Sequence, residues 1–161
     1  RRVLFRSATG FGLGYSPVAS GTVGSLLGIG IVALMLPLPL GVQIGVAVVL
    51  SLLAIPICHA AEAHFGKKDD GRIVADEYLT FPLCMLGLPW VEHPWLLGVA
   101  FVVNRVLDIV KPPPARQSQV LKGGLGIVID DVAAALYGLA VNWTIYRYGY
   151  GFLESWAARL F

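Results

Sequence analysis

Charge is scarce in this chain: Asp, Glu, Lys and Arg make up 14% of its 161 residues, while 57% are hydrophobic. Globular domains carry about 25% charged residues, so a fully solvated surface is excluded, and the mean hydropathy of +0.73 points to a membrane protein. The net charge of +2 is too small to imply a nucleic-acid partner. Only two cysteines occur, Cys58 and Cys84, both in apolar surroundings. They fit neither a disulfide framework nor a zinc spacing and are expected as buried packing thiols. The three histidines, His59, His64 and His93, lack ligand spacing and are assigned to packing or interfacial positions. No signal peptide is visible. Because the sequence opens on Arg1 in place of Met, the native N-terminus is expected to be missing or altered.

Long polar stretches are also lacking, so a single membrane-embedded domain, 1–161, is expected, with little room for an extramembrane module. Hydrophobic runs fall at about 23–40, 42–61, 73–91, 95–110 and 125–146, each near the ~20 residues a spanning helix requires. The expected architecture is an all-α, compact polytopic membrane helix bundle of about five segments. Asp76, Glu77, Pro82 and Pro89 interrupt the third run. That run is therefore a candidate re-entrant segment, its irregular backbone buried in protein.

The connections alternate in charge. Arg1, Arg2 and Arg6 precede the first run, Lys67, Lys68 and Arg72 follow the second, and Lys111, Arg116 and Lys122 follow the fourth; 37–41 and 87–94 contain no Lys or Arg. The positive-inside rule puts the basic set in the cytoplasm. Five spans then leave the C-terminus outside, with Arg147 and Arg159 against the trend. In this frame Asp76 and Glu77 open the third run, Asp108 closes the fourth, and Asp130 and Asp131 open the fifth. Five carboxylates from distant segments thus map to the cytoplasmic ends of their helices, as a site at the membrane surface requires.

Burying a carboxylate without a partner is costly, so acids in membrane-depth segments face a polar cavity, a metal or a countercharge. A carboxylate cluster without histidine or cysteine suits hard cations, Mg²⁺ first and Mn²⁺ second. Mg²⁺ is held by one or two carboxylates together with waters and phosphate oxygens. Arg105, Asp108 and Lys111 recur every three residues and share a helix face, which flanks one carboxylate with two cations able to contact phosphate. Structural alternatives stay open for each piece. Asp130 and Asp131 also suit a solvated helix N-terminus, Arg105 with Asp108 an intramembrane salt bridge, and Lys111 before Pro112, Pro113 and Pro114 an interfacial lysine at a helix stop. Asp69 and Asp70 are expected as plain loop acids.

Glycine and hydroxyl residues crowd the stretch GFGLGYSPVASGTVGSLLGIG at 10–30. Such a stretch either presents backbone N–H groups to a phosphate, with Thr22 and Ser25 adding donors, or lets helices pack closely through Gly21, Gly24, Ser25 and Gly28. GGLG at 123–126 divides in the same way between a flexible helix entry and an anion-binding turn.

Three blocks in order, GFGLGYSPVASGTVGSL, DGRIVADEYLTF, and NRVLDIVKPPP followed by GGLGIVIDD, resemble the phosphatidylglycerophosphatase A family over roughly residues 10–145. The resemblance implies an all-helical, Mg²⁺-dependent phosphatase of the bacterial inner membrane that converts a phospholipid substrate, phosphatidylglycerophosphate, to phosphatidylglycerol. It implies that the acidic motif positions, as metal ligands and catalytic groups, fall on Asp76, Glu77, Asp108, Asp130 and Asp131. The KPxP pattern carries over to Lys111, Pro112 and Pro114, and the preceding arginine to Arg105. Arg105 and Lys111, with Thr22 and Ser25, are the expected phosphate contacts. The chain departs from the family's usual pattern at Asn104, where an aromatic or apolar residue is common, at Ser20 in place of proline, and at Thr80 in place of glycine.

Metal-assisted attack by water and an aspartyl-phosphate intermediate are both compatible with these residues. Two other classes compete. A small cation or proton transporter would place its carboxylates near the bilayer midplane and often carry an inverted repeat, which is not seen here. A non-catalytic lipid-binding protein would tolerate loss of individual acids. The Asp-Gly and Ala-Arg clusters of CDP-alcohol transferases and the Arg/His pattern of histidine-dependent lipid phosphatases are absent. Association into an oligomer stays open.

Overall fold

The computed structural model describes residues 2–151 apart from 18, 68, 69, 114, 119 and 122. Arg1, Lys68, Asp69, Pro114, Lys122 and Arg159 therefore lie outside the described residues. Among the described residues the chain forms seven α-helices and no strand, in keeping with the all-α expectation. These are α1 (Arg2–Ala8), α2 (Ser20–Met35), α3 (Leu40–Phe65), α4 (Ala75–Thr80), α5 (Trp95–Val110), α6 (Ala115–Ser118) and α7 (Gly124–Thr144). Short 3-10 segments cover Gly10–Tyr15 and Phe81–Met85, and α7 runs on into a π-helical turn at Ile145–Gly149.

Helix α3 follows Pro39 and ends on Gly66, whose φ of 65° is the left-handed conformation a glycine adopts without steric cost. Its 26 residues and the 26 of Gly124–Gly149 are long and apolar enough to cross a membrane. α3 turns Val48, Val49, Leu52 and Leu53 outward, whereas α7 is the central helix and packs against α3, α4, α5 and α6. Helices α2 and α5, at 16 residues each, are shorter than a full crossing requires.

The interrupted third run is a six-residue helix leading into a five-residue 3-10 segment, and every residue from Ala75 to Met85 except Glu77 is buried. It is enclosed by protein, which keeps its irregular backbone away from lipid. The run ends beside the start of α3 and the end of α7. Gly87 lies against Leu40 and Trp143 there, and the Trp143 indole donates to the Leu86 carbonyl at 3.1 Å. Asn142 donates to the Cys84 carbonyl at 3.1 Å.

Close packing accounts for most of the glycines singled out above. A Cβ on Gly24 would lie 2.7 Å from the Val74 Cβ, and one on Gly28 2.5 Å from the Phe81 Cβ, so α2 needs bare backbone to approach α4 and its 3-10 extension. At Gly124 a Cβ would stand 2.0 Å from the Ile55 carbonyl, which assigns the GGLG stretch to packing of α7 on α3. Cys58 and Cys84 are buried, and neither is in a disulfide. His64 packs edge-on to Phe5, and His93 stacks with Tyr146 and Tyr150.

Candidate active site

Three helices bring the charged residues together. Asp76 and Glu77 occupy the first turn of α4, Arg105 and Asp108 the last two turns of α5, and Asp130 and Asp131 lie beyond the first turn of α7. Lys111 terminates α5 with φ 48°, the helix stopping where Pro112 follows. All seven side chains line one cavity of roughly 420 Å³, whose remaining wall includes Ser16, Ser20, Gly21 and Gly71. Asp76, Asp130 and Asp131 are each at least nine-tenths buried. The pair on α7 is therefore no solvated helix terminus.

Charges alternate across the cavity wall. Glu77 Oε1 is 3.3 Å from Arg105 Nη1, and the same nitrogen is 2.9 Å from Asp108 Oδ2. Asp108 Oδ1 is 3.9 Å from Lys111 Nζ, which also donates to Asp130. Burial alone would lower the Lys111 ammonium, but the hydrogen bond to Asp130 and the charges of Asp130, Asp108 and Asp131 outweigh it and raise its pKa. Asp131 differs from the others: it is deeply buried, and the charges that act on it most strongly are those of Asp76, Asp108 and Glu77, all acids. Its Oδ2 is buried and accepts no hydrogen bond among the described residues; the Arg105 Nε–H is buried with no acceptor among them.

Neither Thr22 nor Ser25 lines this cavity. Gly21, Gly24, Ser25 and Gly28 form one face of α2 at helical spacing, and that face packs on α4. The Ser25 hydroxyl donates to the Gly21 carbonyl of its own helix at 3.0 Å. The α2 hydroxyl at the cavity is that of Ser20, which donates to the Gly71 carbonyl at 2.6 Å and ties the start of α2 to the 70–73 loop.

Asp70 is not a plain loop acid. It is buried, accepts from Arg72 Nε at 2.7 Å and Nη2 at 2.9 Å, and its carboxyl is held down to about 2 by the Arg72 hydrogen bonds. Arg72 also lies over the Phe65 ring at 3.8 Å. Among the described non-glycine residues, positive φ occurs at Phe11, Ala19 and Lys111, and the last two line the cavity. Backbone strain is concentrated at this site, as is common where structure serves function.

The donor set is all oxygen and fits Mg²⁺ or Mn²⁺ in kind. Among the described residues no three acids, histidines or cysteines stand ready as a metal cage. Mg²⁺ does not require one, because waters and phosphate oxygens complete its shell. Asp131, with its buried acceptor oxygen, and Asp76 beside it are the acids best suited to begin such a shell.

The profile of the family described as phosphatidylglycerophosphatase A matches residues 6–146. The chain is 34% identical over 139 residues to phosphatidylglycerophosphatase A of Escherichia coli (strain K12), covering 86% of this chain and 80% of that protein. It is 38% identical over 143 residues to phosphatidylglycerophosphatase A of Haemophilus influenzae, covering 86% and 85%. A Bacteroides thetaiotaomicron protein, 36% identical over 135 residues and covering 80% and 84%, carries the provisional name of a phosphatidylinositol-3-phosphatase. No solved structure matches the chain significantly. With its acids and cations gathered at one cavity and its sequence matched along most of its length, the chain belongs to the phosphatidylglycerophosphatase A family and is a phosphoric monoester hydrolase.

Proposed function

We propose that the chain hydrolyses phosphatidylglycerophosphate to phosphatidylglycerol and inorganic phosphate, with Mg²⁺ as its cation and Mn²⁺ as a substitute, at the cytoplasmic face of the bacterial inner membrane. The relatives from Escherichia coli and Haemophilus influenzae are named for this activity. One observation carries the chemistry: the same cavity holds a buried cationic donor, Arg105 Nε, and a buried carboxyl oxygen, Asp131 Oδ2, neither with a hydrogen-bond partner among the described residues. Buried polar groups are nearly always satisfied. A phosphate monoester supplies oxygens to the first, and a divalent cation bound to that phosphate satisfies the second.

Asp76 and Asp131, with Asp108 and Asp130 around them, would hold the cation, which when bound would neutralise phosphate charge and lower the pKa of a water. Arg105 and Lys111 contact the phosphoryl oxygens and stabilise their charge as the bond from phosphorus to the glycerol oxygen breaks. The narrow, charge-lined cavity orients the phosphate while the acyl chains stay outside it.

Lys67, Arg72, Lys111 and Arg116 gather in the connections at the cavity end of the bundle, and Trp90, Trp95, Trp143 and Tyr146 at the other. The positive-inside bias supports a cytoplasmic cavity, and the aromatic cluster suits the opposite interface. In this reading the five hydrophobic runs make five passes, two of them long, those of α2 and α5 short, and the third broken and enclosed by its neighbours. Acids gathered at one end suit surface hydrolysis better than a transport path through the midplane. Purified protein in detergent is expected to release phosphate from phosphatidylglycerophosphate with Mg²⁺ and to stop with EDTA. Full activity in metal-free buffer would overturn the cation requirement, and no release under any condition would overturn the substrate.

A further inference from the structure

The seat of Glu77 against α2 sets it apart from the other four acids. Its carboxylate lies directly over the backbone of α2: a Cβ added to Gly21 would stand 2.0 Å from Oε1 and 2.7 Å from Oε2, and one on Gly24 3.2 Å from Oε2. The same Oε1 reaches Arg105 Nη1 at 3.3 Å. Glu77 is thus wedged between the first turn of α2 and a guanidinium on α5, and Arg105 is held from both sides, by Glu77 and Asp108, at a single nitrogen. That grip leaves the buried Nε–H directed elsewhere. Space for the wedge exists only because residue 21 has no side chain. A bound cation would have to compete with Arg105 for Glu77, as it would for Asp108, whereas the charges that act most strongly on Asp131 are those of acids.

From this geometry we infer that Glu77 is a positioning residue that aims Arg105 at the substrate phosphate, that Gly21 is required to make room for it, and that Glu77 is not a cation ligand. The inference rests on the phosphatase reading above. It revises the expectation that all five acids bind metal, and it assigns a role to a glycine whose neighbours serve packing. Misplacing a catalytic group by ~1 Å costs on the order of 100-fold in rate, so small shifts of the wedge are large in kinetics.

The test uses the full chain in detergent micelles, with phosphatidylglycerophosphate for kinetics and Mg²⁺ or Mn²⁺ alone for cation-induced shifts of the melting temperature. Glu77→Gln is expected to lower kcat/KM roughly ten- to hundredfold while keeping the cation-induced shift of the unaltered protein. Asp131→Asn is expected to lose that shift. Gly21→Ala should reproduce the kinetic defect with Glu77 still present. In a Glu77→Ala background, where the shortened side chain vacates the space, adding Gly21→Ala should cost nothing further. This non-additivity in kcat/KM, without a matching change in the melting temperature, is a readout that a purely structural contact would not produce. Loss of the cation-induced shift in Glu77→Gln, or additive defects of Gly21→Ala and Glu77→Ala, would overturn the inference. Should Asp131→Asn keep the shift, the cation reading of the site fails, and the Gly21–Glu77 cycle still decides the positioning role. If Glu77→Gln does not fold, the kinetics of Gly21→Ala decide: values like those of the unaltered protein overturn the role.

Discussion

The Lys111 ammonium, projected from the end of α5, bonds the Asp130 carboxylate in α7, 19 residues further along the chain, and lies 3.9 Å from Asp108. One cation thereby ties two helices together across the cavity. Its left-handed backbone, φ 48°, is a conformation that costs a non-glycine residue about 1–2 kcal/mol. The ion pair, three-quarters shielded from solvent on the lysine side, offsets that strain. A lysine here joins the helix stop to the cavity wall.

Lys111→Met should therefore separate substrate contact from cation binding. Loss of a charge-stabilising donor is expected to lower kcat/KM for phosphate release by about 10²–10³. Cation affinity should stay level or rise, because a competing positive charge leaves Asp130 and Asp108. Phosphate release together with Mg²⁺ titration of the melting temperature checks both halves. A kcat/KM within a few-fold of the unaltered protein would leave Lys111 as a structural tie only.

Acid should loosen the 70–73 loop through Asp70. The Asp70 carboxyl is depressed from 3.8 to about 2 by Arg72, so folding favours its ionised form. A depressed carboxyl contributes stability that is fully present above its unfolded value and is lost as pH falls through the folded one. The window here runs from about pH 4 down to about pH 2. Thermal melts of the unaltered protein and Asp70→Asn should differ at pH 6 and converge toward pH 2. A gap that is constant across this range would mean that Arg72 does not hold the carboxyl down.

The charged half of the site was legible in the sequence because a hydrocarbon environment makes every ionised group expensive. Asp76, Glu77, Arg105, Asp108, Lys111, Asp130 and Asp131 stand out against apolar runs, and all seven reach one cavity. The fourth run, 95–110, coincides with α5 at both ends, where Pro94 and Pro112 punctuate it. Of the two readings open for the small-residue stretch, close packing holds for α2: Ser25 is turned to the Gly21 carbonyl of its own helix, and Ser20 stands at the cavity. Composition identifies such a face without saying which neighbour it meets. The contact of Gly21 with Glu77 and the turn that pairs Asp70 with Arg72 depend on distances between loops and helices, for which periodicity carries no signal.

Topology has an independent check. Single cysteines at Lys67 and Gln117, in a background of Cys58→Ala and Cys84→Ala, should resist a membrane-impermeant thiol reagent in intact cells and react once the inner membrane is opened. A cysteine at Glu92, which is exposed in the connection before α5, should react from outside. The expectation follows from the basic connections at the cavity end. Labelling of Lys67 and Gln117 positions from outside would put the cavity in the other compartment.

Substituting the acids one at a time should give opposite stability effects with a shared loss of activity. Asp131 is buried among Asp76, Asp108 and Glu77, so Asp131→Asn removes a like charge and should leave the melting temperature unchanged or raise it. Asp108 lies between Arg105 and Lys111. Asp108→Asn weakens the close ion pair with Arg105 and the longer one with Lys111, and should destabilise the fold by about 1–3 kcal/mol. Both variants, with Asp76→Asn, should lose orders of magnitude in turnover, since metal and electrostatic terms supply several kcal/mol of barrier reduction. Thermal melts in detergent beside phosphate-release assays read the two effects separately. A destabilised Asp131→Asn with normal specific activity would mean that this carboxylate braces the bundle; retained activity in all three variants would remove the acids from catalysis.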